Sequence, residues 1–259
     1  MRAILSLSLG AALSLSACTT AVGTPGAVAS TPAQAPDYAA ALADPARPES
    51  DRARDAARKP AELLTFAQIS QGEKVGDYIM GGGYLTRVLA GAVGPQGRVY
   101  AFQPDEFIGF RPAYAEEQRA ATTPYANVTA LRGPIAAPPF PEPLDTIVTV
   151  QNLHDLFIGA MPQGTGARAL AALYAALKPG GTLLVVDHSA PDGSGTARTD
   201  ATHRIDRQAA IAAITAAGFV MEAQSDLYAQ PGDPRDANVF TPQIRGRTDQ
   251  FTLRFRKPG

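Results

Sequence analysis

The 259 residues contain no tryptophan, one cysteine (Cys18) and three histidines. A single cysteine excludes an intramolecular disulfide and any metal site built from thiolates. The 23 Lys and Arg nearly balance 24 Asp and Glu, and no basic cluster occurs, so the electrostatic footprint of a nucleic-acid binder is missing. Modest aromatic content without tryptophan argues against a stacking platform for carbohydrate or single strands. No serine sits in a G-x-S-x-G elbow and no H-E-x-x-H spacing occurs, which disfavours a hydrolase triad and a helix-borne zinc site. Nothing repeats at a fixed period, so a solenoid is excluded as well.

What is present begins with a leader pattern. Arg2 is a positive n-region, residues 4–15 form an apolar stretch too short to span a bilayer, and Leu15-Ser16-Ala17-Cys18 is a cleavage site. The pattern resembles a bacterial lipoprotein signal, with an ordinary secretory signal as the alternative. The resemblance implies removal of residues 1–17, lipidation of Cys18, and an anchor as the only contact with the membrane. Thr19 stands where an inner-membrane retention signal has Asp, which implies the outer membrane and a domain facing the periplasm. Residues 18–43, rich in Ala, Pro, Thr and Ser, read as a disordered tether. Residues 44–259 are long enough for one domain with a sizeable core.

Along that domain, residues 49–59 carry mixed charges at helical spacing and read as a solvated helix that covers the sheet, with closure over the ligand site as the alternative. Pro60 opens a second short helix over 61–69. Residues 75–80 then form an apolar strand that breaks on Gly81, Gly82 and Gly83 and restarts as a helix through Leu85, Val88 and Leu89. Further strands are expected at 98–102, 127–131, 144–150 and 181–187, with an Ala/Leu helix at 167–177 stopped by Lys178-Pro179-Gly180-Gly181. Near-continuous Val, Ile and Leu strands alternating with helices imply a parallel sheet covered on both faces. A helix at 206–217 and strands at 219–225 and 250–256, separated by an irregular stretch at 227–248, suggest an antiparallel closing hairpin. The expected fold is a Rossmann-like, doubly wound α/β sheet of about seven mostly parallel strands, with ligands beyond the carboxyl ends.

All three histidines fall on that edge. His154 follows the fourth strand in Gln151-Asn152-Leu153-His154-Asp155, His188 ends the fifth beside Asp187, and His203 precedes Asp206. A neighbouring carboxylate can orient each ring and raise its basicity: Asp155, Asp187 and Asp206 respectively. Convergence of His188, Asp187 and His154 on a metal is an open alternative, though without a ligand motif no metal is expected.

With these residues in place, residues 44–258 resemble a class I S-adenosylmethionine (SAM)-dependent methyltransferase, and specifically a group of bacterial predicted methyltransferases. Five segments carry the resemblance: 47–60, 74–90 with its Gly81-Gly82-Gly83-Tyr84-Leu85-Thr86-Arg87 core, 177–181, 185–190, and 240–258. It implies SAM as cofactor, held by Asp77, Gly81, Gly82, Gly83 and Gln103, and a small-molecule acceptor near the catalytic candidates His154, Asp187 and His188. The chain departs from the family pattern at three places. Ile79 occupies the motif's first glycine position, Gln103 ends the second strand where an acid usually meets the ribose, and Pro134-Ile135 follow Gly133 where an Asp often meets adenine. A catalytically silent envelope lipoprotein that binds another ligand or a partner is the second reading, and a metal-assisted hydrolase or isomerase built on the three histidines is the third.

Overall fold

The computed structural model describes residues 38–259. The expected signal segment, Cys18 and most of the expected tether lie outside the described residues. A first helix, α1 (Tyr38–Ala43), falls inside the stretch expected to be tether. It packs on the domain, with Ala41 buried and the Tyr38 hydroxyl donating to the Ile69 carbonyl at 2.7 Å. The ordered domain therefore takes in six residues ahead of the expected boundary at 44, because α1 has an apolar surface to cover.

The expected helix over 49–59 is two short pieces, α2 (Glu49–Arg52) and α3 (Asp55–Arg58), largely solvated as expected, although Asp51 is buried and Arg47, just ahead of them, is fully buried. Helix α4 (Pro60–Ala67) opens on Pro60. Strand β1 (Lys74–Tyr78) leads through the glycine turn into α5 (Tyr84–Val93), followed by β2 (Arg98–Pro104). Two helices missing from the sequence reading come next, α6 (Asp105–Phe110) and α7 (Ala113–Thr122). The centre of α7, Glu116-Glu117-Gln118-Arg119, has no apolar stripe to betray it. Strands β3 (Val128–Gly133), β4 (Leu144–Val150) and β5 (Leu177–His188), helices α8 (Thr165–Ala176), α9 (Thr199–Thr202) and α10 (Arg207–Ala216), and strands β6 (Val220–Ser225) and β7 (Gln250–Arg256) complete the domain.

The seven strands lie in the order β3-β2-β1-β4-β5-β7-β6, with β7 antiparallel to both β5 and β6 and the rest parallel. This is the doubly wound sheet and closing hairpin expected. Successive residues of the central strands feed opposite cores: Ile147, Leu183 and Val185 meet α8 and α10, while Val148, Leu184 and Val186 meet α1, α4 and α5. Burial on both faces is why those strands read as continuous apolar runs. Strand order reverses between β1 and β4, so the ligand crevice of such a sheet opens where these two strands end.

No helix among the described residues is long and apolar enough to cross a membrane.

Candidate active site

Past the end of β1 the backbone turns through the left-handed region three times, at Ile79 (φ 64), Gly81 (φ 55) and Gly83 (φ 77). Gly83 precedes α5, and a Cβ there would lie 2.3 Å from the Ala121 Cβ, so glycine is required by space as well as by φ. Gly81 is the opposite case. Nothing lies within 4 Å of the Cβ it lacks, which leaves open space above the turn. A β-branched residue in the left-handed region costs about 1–2 kcal/mol, so Ile79 stores strain at the position where the motif has glycine. Its surroundings hold it there: the Asn152 amide donates to the Ile79 carbonyl at 2.9 Å, and Met80 N–H donates to Phe102 at 3.0 Å. Across the switch point, Gln151 after β4 also has φ 63. Both strand ends that border the crevice hold a non-glycine residue in the left-handed region, a conformation such residues adopt only uncommonly.

Asp77 and Gln103 stand on either side of the β1–β2 pairing. Asp77 is buried and accepts the Thr86 hydroxyl at 2.5 Å, tying the first turn of α5 to β1. Burial lifts its carboxyl to about 6, with Thr86 and the Arg87 charge offsetting only part of the cost. Gln103 follows Phe102, which pairs with Tyr78. Its side chain is fully buried, and neither amide atom has a hydrogen-bond partner among the described residues. Leaving a buried amide unpaired costs on the order of 1–3 kcal/mol per group. An orphaned donor and acceptor beside an open glycine turn suit a ligand that carries hydroxyls. The Ile135 N–H, in the segment where an Asp was lacking, donates to Glu106 at 2.9 Å.

The charged segment of α2 and α3 reaches the same turn. Arg87 donates to Asp51 at 2.6 Å and to the Gly82 carbonyl at 3.1 Å. Arg47 makes a two-pronged pair with Asp55 at 2.6 and 2.9 Å, and Asp55 also accepts the Tyr84 hydroxyl at 2.7 Å. The guanidinium groups of Arg54 and Arg58 lie over the Tyr84 ring at 4.9 and 5.0 Å. Of the two placements open for the charged stretch 49–59, over the sheet or over the ligand site, these contacts put Asp51 and Asp55 against the glycine turn and the start of α5.

On the other side of the crevice the structure brings the histidines together but pairs them differently from sequence proximity. Asp187, fully buried, accepts the His154 Nδ1 proton at 2.8 Å and the backbone N–H groups of His154 and His188 at 2.7 Å each. Asp187 therefore orients His154, not its neighbour His188. Asp206, expected beside His203, instead caps α10 through the Gln208 N–H and accepts from Gly193. His154 sits on a 3-10 turn (His154–Phe157), and its Nε2 lies 3.3 Å from His203 Nδ1 and 3.4 Å from Asp155 Oδ1. His188 turns away to Thr248, with Nδ1 2.9 Å from the hydroxyl.

The charges follow this geometry. Burial opposes protonation of His154, yet Asp187 and Asp155 outweigh it and hold the ring's pKa above the usual histidine value. Burial alone would raise Asp187, but His154 and the backbone donors hold it below the ordinary carboxylate range. Burial pushes the Asp155 carboxyl up to about 6 despite His154, and pushes His188 down to about 4, so His188 is neutral at physiological pH. His203, lowered by burial and by the charge of His154, has 31% of its side chain exposed and is the member that solvent reaches. It packs edge-on against Phe240, ring centroids 5.0 Å apart. The irregular stretch before β7 is pinned by fully buried Arg204, which pairs with Asp233 at 2.8 and 3.1 Å.

These features sit on a known scaffold. The chain has the fold of the SAM-dependent methyltransferases. A SAM-dependent methyltransferase from Aquifex aeolicus superposes over 85% of this chain and 98% of its own, with 19% identity and a TM-score of 0.56. The N-methyltransferase NodS from Bradyrhizobium japonicum WM9 matches at 17% identity over 80% and 96%, with a TM-score of 0.52. The [4+2]-cyclase SpnF matches at 16% identity over 78% and 82%, with a TM-score of 0.54. No protein-family model and no curated protein matches the sequence. Likeness at this level establishes the fold, and a scaffold shared with a cyclase leaves the chemistry to be argued from the site.

Proposed function

We propose that this chain is a SAM-dependent methyltransferase acting on a small-molecule acceptor. The observation that carries the reading is Gln103, buried and unpaired at the end of β2 beside the open turn at Gly81. Gln103 would meet the cofactor's ribose hydroxyls, and Gly81 to Gly83 would lie along its methionine end. Asp77 acts one step back, through Thr86, by fixing the turn on which those glycines sit. The cofactor, when bound, supplies an electrophilic methyl group on a sulfonium. Aligning an acceptor with that group can contribute about 7–11 kcal/mol. A proton leaving the acceptor would pass to the line His203, His154, Asp187, whose outer end is exposed and whose inner end is a buried carboxylate. Such general-base help adds on the order of 10²–10⁴-fold. His188, neutral and bonded to Thr248, is left out of this line.

Calorimetric titration of the purified chain with SAM and with its demethylated product tests the reading. One-to-one binding is expected, weakened about tenfold in Gln103→Leu by loss of its hydrogen bonds. Absence of any heat with either ligand would remove the proposal at its first step.

The leader pattern supports a second part of the proposal, an anchor at Cys18 in the cell envelope. Incorporation of labelled fatty acid in the wild type and its loss in Cys18→Ser is the expected result, and equal labelling of both would refute the anchor.

A further inference from the structure

The geometry points to a divalent transition-metal site formed by His154 Nε2, His203 Nδ1 and Asp155 Oδ1. The three atoms lie 3.3, 3.4 and 3.9 Å from one another. A point equidistant from them is about 2.1 Å from each, the bond length zinc makes to imidazole nitrogen and carboxylate oxygen. The three donor atoms are therefore already spaced for one cation.

Three further features suit a cation better than a void. His154 Nδ1 donates to Asp187 at 2.8 Å, so in the neutral ring the lone pair lies on Nε2, the atom 3.3 Å from His203 Nδ1. A buried carboxylate behind a ligating imidazole is the arrangement that fixes tautomer and ring orientation in metal sites. Two ring nitrogens 3.3 Å apart can share only one proton between them. No described residue donates a hydrogen bond to the Asp155 carboxylate, although its side chain is only 13% exposed. A cation facing all three atoms would satisfy each at once.

The donor set of two imidazoles and one carboxylate favours Zn2+, Fe2+, Co2+ or Ni2+ over Mg2+ or Ca2+, which prefer oxygen ligands throughout. Three protein ligands leave coordination positions free for water or an acceptor oxygen, on the side where His203 is exposed. With the cation bound the two imidazoles are occupied as ligands, so an acceptor hydroxyl bound there would lose its proton to solvent instead of to His203, more readily because the cation lowers its pKa. The site stands whether or not the glycine turn takes SAM.

The full chain, stripped with a chelator, is titrated with Zn2+ and separately with Co2+, whose visible absorption reports its ligands. Uptake of one equivalent, a rise in Tm on loading, and no competition from Mg2+ are expected. His203→Gln and Asp155→Asn should each weaken uptake at least tenfold, and Asp187→Asn, which leaves all three ligands in place, about 10–100-fold. Circular dichroism of the stripped variants confirms that they are folded, and the wild-type titration decides the matter on its own if they are not. Absence of saturable uptake by the wild type overturns the site, as does uptake that both ligand variants retain. SAM binding is read on the stripped protein, so its absence would count against methyl transfer and not against the metal site.

Discussion

The two edges of the crevice are built on opposite plans. The β1 edge is one contiguous stretch, 77–87, in which the backbone itself makes the site: left-handed turns, a required glycine at 83, an open one at 81. The β4–β5 edge is assembled from three segments, 151–155, 187–188 and 203, and side chains make it, with Asp187 buried beneath His154 and His203 at the surface. A turn made of backbone binds whatever fits its shape. A side-chain array with perturbed protonation commits the chain to a chemistry, and such arrays collect at functional sites.

Asp187→Asn separates the two edges most sharply. Without the carboxylate, His154 loses its fixed tautomer while the glycine turn is untouched. Methyl transfer should fall on the order of 10²–10⁴-fold, with the dissociation constant for SAM unchanged. Equal losses in turnover and in cofactor affinity would show that the edges work as one unit.

A stability effect of about 3 kcal/mol is expected on the β1 edge. The folded-state value for Asp77, about 6, lies above its ordinary 3.8. Between those values the folded chain binds more protons than the unfolded one, so rising pH costs stability. The penalty is absent below about pH 4 and complete above about pH 6. Asp77→Asn removes it, so chemical denaturation should show the variant gaining on the wild type as pH rises from 4 to 7. A difference that stays constant across that range would mean the carboxyl is not strained by burial.

Smallest of the three is Gly81→Ala. With open space at the Cβ position, only left-handed strain is expected, about 1 kcal/mol. Gly83→Ala should cost distinctly more, since the new methyl meets Ala121. Similar losses at the two glycines, measured by urea denaturation, would erase the distinction between a packed and an open turn.

Legibility followed the same division. Strands β1, β2, β4, β5 and β7 and the glycine turn were readable because each is a local pattern: an apolar run, a break, a restart at helical spacing. Helix α7 was not, since its central residues are charged or polar and its covered face, through Gln118, Ala121 and Thr122, is narrow. The mixed charges of 49–59 announce a solvated stretch, and all of it but Asp51 is exposed or half-buried. The burial of Asp51 depends on Arg87, 36 residues onward, which no local pattern announces. All three histidines were placed on the correct edge, but their partners were taken from the nearest carboxylate in sequence, and only Asp155 stayed beside its neighbour.

By itself, then, the sequence determined the alternation of strands and helices, the doubly wound sheet and the site of the turn at 81–83, because burial periodicity and glycine conformational freedom act over a few residues. The tertiary structure alone decided that Asp187 serves His154, that His203 completes the cluster while His188 leaves it, and that Arg87 and Asp51 lock the glycine turn. Those outcomes depend on which strand ends become neighbours, and strand order is a property of the closed sheet that no short stretch of chain contains.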